Sequence, residues 1–353
     1  MLTGVESVKE GINLCNEVTS ILKSAGFDLQ KWASNSQEIL DHGKTSSSTS
    51  TVLFGERGQT KTLGLYWSCE QDFLMYQIDV SDVSKHVTKR TVLSVIAKLY
   101  DPLGLVSPCL IIAKIIMQRL WLPLELASKW NKFKSELLVL NELKVPRHIL
   151  GTYCIEIQIH GFSDASTEGY GACVFVRSVD HCGTISVHLV CGKSKVAPLK
   201  VVTIPRLELC AALLLAKLVE KVRSTLTVTV NSCFLWRDST VALSWIHTPP
   251  NTLQTFVGNR VTQIQALTSS SDWRHIRSAS NPADLLSRGV YPSQMQSSDL
   301  WWNGPPWLSF PQCSWPKSDF QPQINLPDLK KQISVFKVEF GAPFSICKIF
   351  AVV

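Results

Sequence analysis

The pattern from residue 155 onward constrains the fold more than any other feature of this sequence. Three strand-like runs, at residues 155–163, 169–177 and 184–192, precede a long helical stretch at residues 206–223 whose apolar side chains are spaced for one buried face. Strand-like and helical segments then alternate to about residue 290. Three consecutive strands, a helix and then alternating elements predict an α/β domain.

The first 150 residues have a different pattern of apolar and polar residues, which predicts a mainly helical packing region with a few strands. A helix is expected at residues 109–121, because Ser107-Pro108 is a helix-start signal. The preceding helix must end at Asp101-Pro102-Leu-Gly104, where proline and glycine oppose its continuation. No catalytic constellation is visible in this region. The predicted domains are therefore residues 1–150, residues 151–290, and a linker with an irregular tail at residues 291–353.

Length and composition indicate a globular protein with a large core. The chain has 353 residues, 45% of them hydrophobic and 18% charged, which suits about two domains. Thirty-five Lys and Arg against 28 Asp and Glu give a net charge of +7, which permits a polyanionic partner without requiring one.

Cysteine usage and hydropathy argue for an intracellular location. The eleven Cys include no C-x-x-C pair and no Cys/His cluster at zinc spacing, so we expect reduced thiols and no structural zinc. The start of the chain lacks a secretory leader. The most apolar run, residues 103–124, carries Lys114 and Arg119, which favours a buried helix over a membrane span. The expected compartment is the cytoplasm, with a virus-like particle or the nucleus as alternatives.

Four carboxylates occupy similar local settings in the α/β region. Asp164 ends the first predicted strand, Glu208 lies in the first turn of the long helix, Asp238 ends the fourth strand, and Asp284 lies in the first turn of the last helix. Strand ends and helix starts are where such layers place ligand-binding groups. Acidic residues in a first helical turn are also favoured by capping and by the helix dipole, and that structural explanation stays open at this point.

If the four carboxylates converge, they need a cation to offset their mutual repulsion. An all-oxygen ligand set predicts Mg²⁺, with Mn²⁺ as an alternative. Two such ions would suit phosphodiester hydrolysis, one activating water and the other stabilising the leaving oxygen. A nearby basic set could hold substrate phosphates or could equally be a solvated loop. Its members are Lys193, Lys195, Lys200 and Arg206.

Several segments together resemble the polyprotein of BEL/Pao-type retrotransposons. They are Phe162-Ser-Asp-Ala-Ser166, Lys193-Ser-Lys-Val-Ala-Pro-Leu-Lys200, Ile204-Pro-Arg-Leu-Glu-Leu-Cys-Ala-Ala212, Trp236-Arg-Asp-Ser239, Asn281-Pro-Ala-Asp-Leu-Leu-Ser-Arg-Gly289 and Leu300-Trp-Trp-Asn-Gly-Pro305. Their order and spacing match along roughly residues 31–308. No single segment would be specific enough, but the combination is.

The resemblance implies an RNase H-like domain, a mixed five-stranded sheet with helices, at about residues 152–290. It implies that Asp164, Glu208, Asp238 and Asp284 hold two Mg²⁺ ions and that the domain cleaves the RNA strand of RNA/DNA hybrids. The upstream segments, including Lys98-Leu-Tyr-Asp-Pro-Leu-Gly-Leu-Val-Ser-Pro108, resemble the end of a reverse-transcriptase palm, its thumb and the connection. Other parts of a retroelement polyprotein are then implied partners.

The departures from the family pattern define the alternatives. The Tyr-x-Asp-Asp polymerase signature is absent, so we expect no polymerisation. His275 is predicted to lie within a strand and is no clear counterpart of the catalytic His that some RNases H carry. The same family region is also labelled a Pao peptidase, and Asp164-Ala-Ser166 is similar to an aspartic-protease loop, although a second such loop would be needed. A third alternative is a non-catalytic nucleic-acid-binding remnant.

Overall fold

The computed structural model describes most of the chain, and every statement below refers to the residues it describes. These are residues 4–5, 7–27, 29, 33–45, 59–62, 65–80, 87–119, 124–151, 153–317, 320–323 and 325–330. The predicted irregular tail beyond residue 330 lies outside them. None of the described helices is long and apolar enough to cross a membrane.

The region before residue 151 is mainly helical, as the sequence predicted. Its helices are α1 (Val8–Ser24), α2 (Gln37–Thr45), α3 (Lys89–Lys98), α4 (Ser107–Arg119) and α5 (Leu124–Glu136). A small antiparallel sheet contains, in spatial order, β1 (Gln59–Thr62), β2 (Leu65–Ser68), β3 (Phe73–Met75) and β4 (Lys144–Pro146). A 3₁₀ segment, Leu137–Glu142, leads from α5 to β4. The assignment of this region to a reverse-transcriptase thumb and connection stays a prediction.

The central sheet has five strands in the spatial order β7, β6, β5, β8, β9. The strands are β5 (Cys154–Ala165), β6 (Gly169–Asp180), β7 (Ile185–Val196), β8 (Ser232–Arg237) and β9 (Trp273–His275). The first three pair antiparallel, whereas β8 runs parallel to β5 and β9 runs parallel to β8. This is the mixed five-stranded sheet that the resemblance implied, and the predicted fold class is confirmed.

One face of the sheet is covered by three helices, α6 (Ile204–Thr225), α7 (Thr240–His247) and α8 (Thr255–Leu267). Because side chains alternate along a strand, successive residues of β6 point to opposite faces of the sheet. Val174 packs with the α6 face, and its neighbour Phe175 packs with the other one. Both are fully buried, which explains why the strands read as near-continuous apolar runs.

The opposite face is covered by elements from both ends of the chain. They are α4 together with α9 (Asp284–Arg288), α10 (Pro292–Gln296) and α11 (Asp299–Trp302). Phe133, Phe175 and Trp301 belong to one continuous hydrophobic cluster, so this core spans the positions predicted as boundaries at residues 150 and 291. The segment expected to be a linker is folded through residue 315, because its tryptophans fill the sheet face although the surrounding sequence is polar and rich in proline.

The loop between α3 and α4 makes a close backbone approach to β7. Gly104 has a φ of +75°, and a Cβ at this position would lie 1.6 Å from the carbonyl oxygen of Gly192. Asp101 accepts hydrogen bonds from two backbone N–H groups just before α4, that of Leu105 at 2.9 Å and that of Val106 at 3.0 Å. Trp301 Nε1 donates to the Leu105 carbonyl at 2.8 Å. The proline–glycine stop in the sequence is therefore also a docking point.

An aromatic cluster closes the core beneath the segment at residues 306–315. Trp236 Nε1 donates to His160 Nδ1 at 3.2 Å, and the Trp315 ring meets the His160 ring edge-on at 4.9 Å. Burial, together with nearby arginines, holds the pKa of His160 well below its usual range. Arg177 reaches across and donates through Nε to the Leu308 carbonyl at 2.8 Å. This cluster fastens the segment to the sheet.

Candidate metal site

Three of the four predicted carboxylates come together at one edge of the central sheet. Asp164 is the penultimate residue of β5, and Asp238 directly follows β8, so the parallel pairing of these strands brings both to the same end. Glu208 reaches them from α6, which packs against β5 and β6. One carboxylate oxygen from each residue lies within 4.8 Å of those of the other two.

Glu208 is placed slightly differently from the sequence expectation. Because α6 begins at Ile204, Glu208 is its fifth residue and lies in the second turn rather than the first. The helix dipole is strongest in the first turn, so it is a poor explanation for an acidic residue here. Glu208 is instead buried and is held by two partners, the Ala165 N–H at 3.2 Å and the Arg237 guanidinium.

Arg237 is a fully buried counter-charge in this acidic group. Its Nη2 lies 2.6 Å from Glu208 Oε2, whereas its Nε and Nη1 have no hydrogen-bond partner among the described residues. The residue ends β8, with its backbone opposite His275 of β9, and it directly precedes Asp238. One arginine therefore compensates part of the charge of three carboxylates, and the remaining net negative charge favours a cation.

Burial has the largest effect on the pKa values of Asp164 and Glu208, and repulsion between the carboxylates adds a smaller rise. Burial raises the pKa of Asp164 to about 6, with Asp238 and Asp284 adding to the rise and a hydrogen bond from Ser287 opposing it. Burial likewise raises the pKa of Glu208 to about 8, where Arg237 lowers it and the neighbouring aspartates raise it. Clustered carboxylates that resist ionisation in this way are stabilised when a divalent cation binds.

Asp284 lies near this group without being part of it. It is the first residue of α9, and its Oδ1 is 2.5 Å from Arg288 Nε, one helical turn later. Its charge still contributes to the raised pKa of Asp164. The helix is tied to the site by Ser287, whose Oγ donates to Asp164 Oδ2, and by Ser166, whose Oγ donates to the Ser287 carbonyl at 2.7 Å.

The predicted basic residues fall into two sets. Lys193 and Lys195 are exposed on β7, where they flank Ser194, and Ser194 shares a cross-strand row with Gly171 and Asp164. Two strand spacings separate this part of β7 from β5, which is roughly 10 Å. Lys200 is also exposed, in the loop before α6.

Arg206 differs because it has a partner within the chain. Its guanidinium binds the carboxylate of Asp328 through two contacts, Nη2 to Oδ1 at 2.5 Å and Nε to Oδ2 at 3.1 Å. Arg206 lies two positions before Glu208 on α6. A phosphate would compete with Asp328 for the two donors that this carboxylate occupies.

The acidic group fits a divalent metal on its donor chemistry. Asp164, Glu208 and Asp238 offer only oxygen ligands. Such a ligand set suits Mg²⁺ and Mn²⁺ better than it suits softer metals. Two of the three residues are buried, which would keep their charges poorly solvated without a cation. The number of ions and the identity of the metal stay predictions.

The residues that support the site lie within the segments that carry the family resemblance, but local pattern assigns them no role. Arg237 lies in Trp236-Arg-Asp-Ser239, and Asn281 and Ser287 lie in the segment that ends at Gly289. Asn281 Nδ2 donates to the Ser163 carbonyl at 3.1 Å, next to Asp164. An arginine directly before a strand-end aspartate was the available signal, because a strand's apolar environment demands a partner for such a charge.

Comparison with solved structures found RNases H at low overall similarity. RNase H1 from Halobacterium salinarum NRC-1 is 15% identical, with a TM-score of 0.25, over 38% of this chain and 95% of its own. The N-terminal RNase H domain of rv2228c from Mycobacterium tuberculosis, solved as a fusion with maltose-binding protein, is 14% identical, with a TM-score of 0.26, over 40% of this chain and 97% of its own. No curated protein matched.

Comparison with protein families gave a specific result. Residues 88–239 match the family described as "Pao retrotransposon-like RNaseH-like domain". The matched segment contains α3, α4, the first four strands of the central sheet and the three clustered carboxylates. The resemblance to BEL/Pao-type elements is therefore confirmed over residues 88–239, the part of the chain that matches the Pao retrotransposon-like RNase H-like family.

Proposed function

We propose that this domain is a metal-dependent nuclease that hydrolyses the RNA strand of RNA/DNA hybrids. The observation that carries the proposal is the clustering of Asp164, Glu208 and Asp238 at the sheet edge of an RNase H-like domain, with ligand oxygens within 4.8 Å of one another. The buried carboxylates and their raised pKa values support cation binding at this point. Hybrid cleavage is the activity that the family resemblance implies.

In this proposal each residue has a distinct task. Asp164 and Asp238 would hold the cation, and Glu208 would complete the set from α6. Bound Mg²⁺ would activate water and stabilise the charge that develops on the phosphate oxygens. Ser287 orients Asp164 through its hydrogen bond, and Arg237 fixes the carboxylate of Glu208. Asp284, paired with Arg288, would contribute through its charge or by releasing that partner.

The decisive experiment is cleavage of a labelled RNA/DNA hybrid by the full chain with Mg²⁺. We expect RNA-strand cleavage, loss of at least 100-fold in rate for Asp164→Asn and Asp238→Asn, and wild-type rates for Asp299→Asn, an exposed aspartate on α11. Removal of divalent cations with EDTA should abolish cleavage in the wild type. Equal rates for Asp164→Asn and Asp299→Asn would refute the proposal.

The two alternatives give different outcomes in the same assays. A peptidase would cut protein substrates without a metal. An aspartic peptidase needs two aspartates that share one proton. Here Asp164 lies in β5 opposite Gly171 of β6, and the acidic group around it includes Glu208, which is paired with Arg237. A non-catalytic remnant would bind the hybrid without cutting it. Arg237 already neutralises part of the acidic group, which weakens the demand for a metal. Binding of the hybrid without cleavage is therefore the outcome to measure directly.

A further inference from the structure

The described C-terminal segment, residues 320–323 and 325–330, is a strap across the helical face of the sheet. Trp245 Nε1 of α7 donates to the Pro327 carbonyl at 2.8 Å. The backbone N–H of Gln254 donates to the Asp328 carbonyl at 2.7 Å, and that of Lys330 donates to the Thr252 carbonyl at 2.8 Å. These contacts fix the backbone of the strap against the connection between α7 and α8.

The strap passes close to the residues that flank the acidic group. At one end, Gln323 Nε2 donates to Thr240 Oγ1 at 3.0 Å, and Thr240 is two residues after Asp238. At the other end, Asp328 binds Arg206, which is two residues before Glu208. The strap therefore runs from the start of α7 to the start of α6, beside the elements that supply two of the three clustered carboxylates.

The contact between Arg206 and Asp328 has the geometry of phosphate recognition. A guanidinium binds carboxylates and phosphates through the same two parallel hydrogen bonds. The Phe256 ring lies 5.2 Å from the Arg206 guanidinium carbon and 3.6 Å from that of Arg260. Both arginines therefore lie against one aromatic ring, and the Asp328 carboxylate binds Arg206.

We propose that Arg206, with Arg260 on the same aromatic ring, is a contact site for a backbone phosphate of the hybrid, and that Asp328 occupies Arg206 in the free chain. The strap then acts as an internal competitor for nucleic acid. Because the competitor is tethered, its effective concentration is high and binding is weakened without any change in the acidic group. The proposal rests on the proposed function for the identity of the ligand, an RNA/DNA hybrid.

The test is the affinity of a labelled hybrid for full-chain variants in the Asp164→Asn background, which avoids loss of substrate by cleavage. Asp328→Asn keeps the side-chain size, and asparagine tolerates the φ of +60° at this position. We expect it to tighten binding roughly fivefold or more, a typical coupling between linked sites. The slope of log affinity against log salt should steepen by about 0.9, as for one added phosphate contact.

Asp299→Asn is the matched control, because it changes the net charge equally and is exposed on α11. Arg206→Gln should weaken binding strongly only when Asp328 has been neutralised, because in the parent chain this arginine is already occupied. Amide exchange at Gln254 and Lys330 should increase when the hybrid binds, because the hydrogen bonds between the strap and the connection from α7 to α8 open.

The outcomes separate this proposal from the nuclease proposal. Equal affinities for Asp328→Asn and Asp299→Asn, or a gain that persists with Arg206→Gln, would overturn the strap as a competitor even if the parent chain cleaves the hybrid. Absence of hybrid binding in every variant would overturn both proposals. Cleavage that depends on Asp164 together with a gain in affinity specific to Asp328→Asn would support both.

Discussion

Replacing Arg237 by methionine should reveal how much of the stability depends on one buried charge. The guanidinium is fully buried, and its single ion pair, 2.6 Å from Glu208, compensates a carboxylate that is almost as deeply buried. Removing one partner of such a pair costs about 3–5 kcal/mol, because the other charge is left uncompensated. Two guanidinium nitrogens have no hydrogen-bond partner among the described residues, which reduces the net contribution of Arg237 to stability. We therefore expect a loss at the lower end of that range.

Urea unfolding of the full chain in EDTA at about pH 9, where Glu208 is above its pKa of about 8 and therefore charged, would measure the effect by tryptophan fluorescence. Arg237→Met should lower the free energy of unfolding by about 3 kcal/mol. The double variant with Glu208→Gln should recover at least half of that loss, because it leaves no buried charge unpaired. Added Mg²⁺ should stabilise Arg237→Met more than the parent chain, since the cation replaces the missing positive charge.

Arg288→Met supplies the matched control for this reasoning. It also removes the arginine partner of an acidic residue near the site, but the pair with Asp284 is exposed, at 67% and 30% of the two side chains. An exposed pair contributes about 0–1 kcal/mol. A loss below about 1 kcal/mol for Arg237→Met, or equal losses for both variants, would refute the argument that the buried pair compensates the acidic group.

Three further predictions concern the core and the titration of the site. Gly104→Ala should prevent stable folding, because its Cβ would overlap the Gly192 carbonyl. Gly183→Ala is the control, since this glycine has a similar φ with open space around it, and it should lower the free energy of unfolding by only about 1 kcal/mol in thermal or urea unfolding. Trp315→Ala should cost about 3–5 kcal/mol and expose the segment at residues 306–315 to limited proteolysis. In EDTA, the free energy of unfolding should fall as the pH rises from about 4 to 8, because the folded state holds the protons of Asp164 and Glu208 more tightly than the unfolded state. The Asp164 share, complete near pH 6, is up to about 3 kcal/mol, and saturating Mg²⁺ should remove the dependence.

Local pattern was enough to predict the elements that carry the acidic residues. The alternation of apolar residues placed β5, β6 and the long helix α6 within a few residues of their observed bounds. These elements are fixed by short-range periodicity and by turn residues, which are visible in the sequence. Clustering of Asp164, Glu208 and Asp238 follows from the parallel pairing of β5 and β8, which the resemblance implied and local pattern alone left open.

The features that the sequence does not predict are interactions between segments that lie far apart in the chain. The charge of Arg206 is compatible with a phosphate contact or a solvated loop, whereas its partner Asp328 is 122 residues away and has no local signature. Arg237 would ordinarily be expected at the surface, because arginine is almost never fully buried unless paired. The segment after residue 291 reads as a linker by composition, yet Trp301 and Trp315 anchor it in the core. Each case depends on which surfaces meet, and periodicity carries no such information.

The extent of the family match and the packing of the chain lead to the same view of the folded unit. The match begins at residue 88, before α3 and α4, rather than at the first strand of the central sheet. The structure gives a physical reason, because α4 lies on β7 and on α9, which Ser287 ties to Asp164. Without α4 the sheet face that holds Phe175 would lose part of its cover, and α9 would lose the surface that positions it. The helices upstream of the sheet therefore help to hold the acidic group in place, although they contribute no ligand to it.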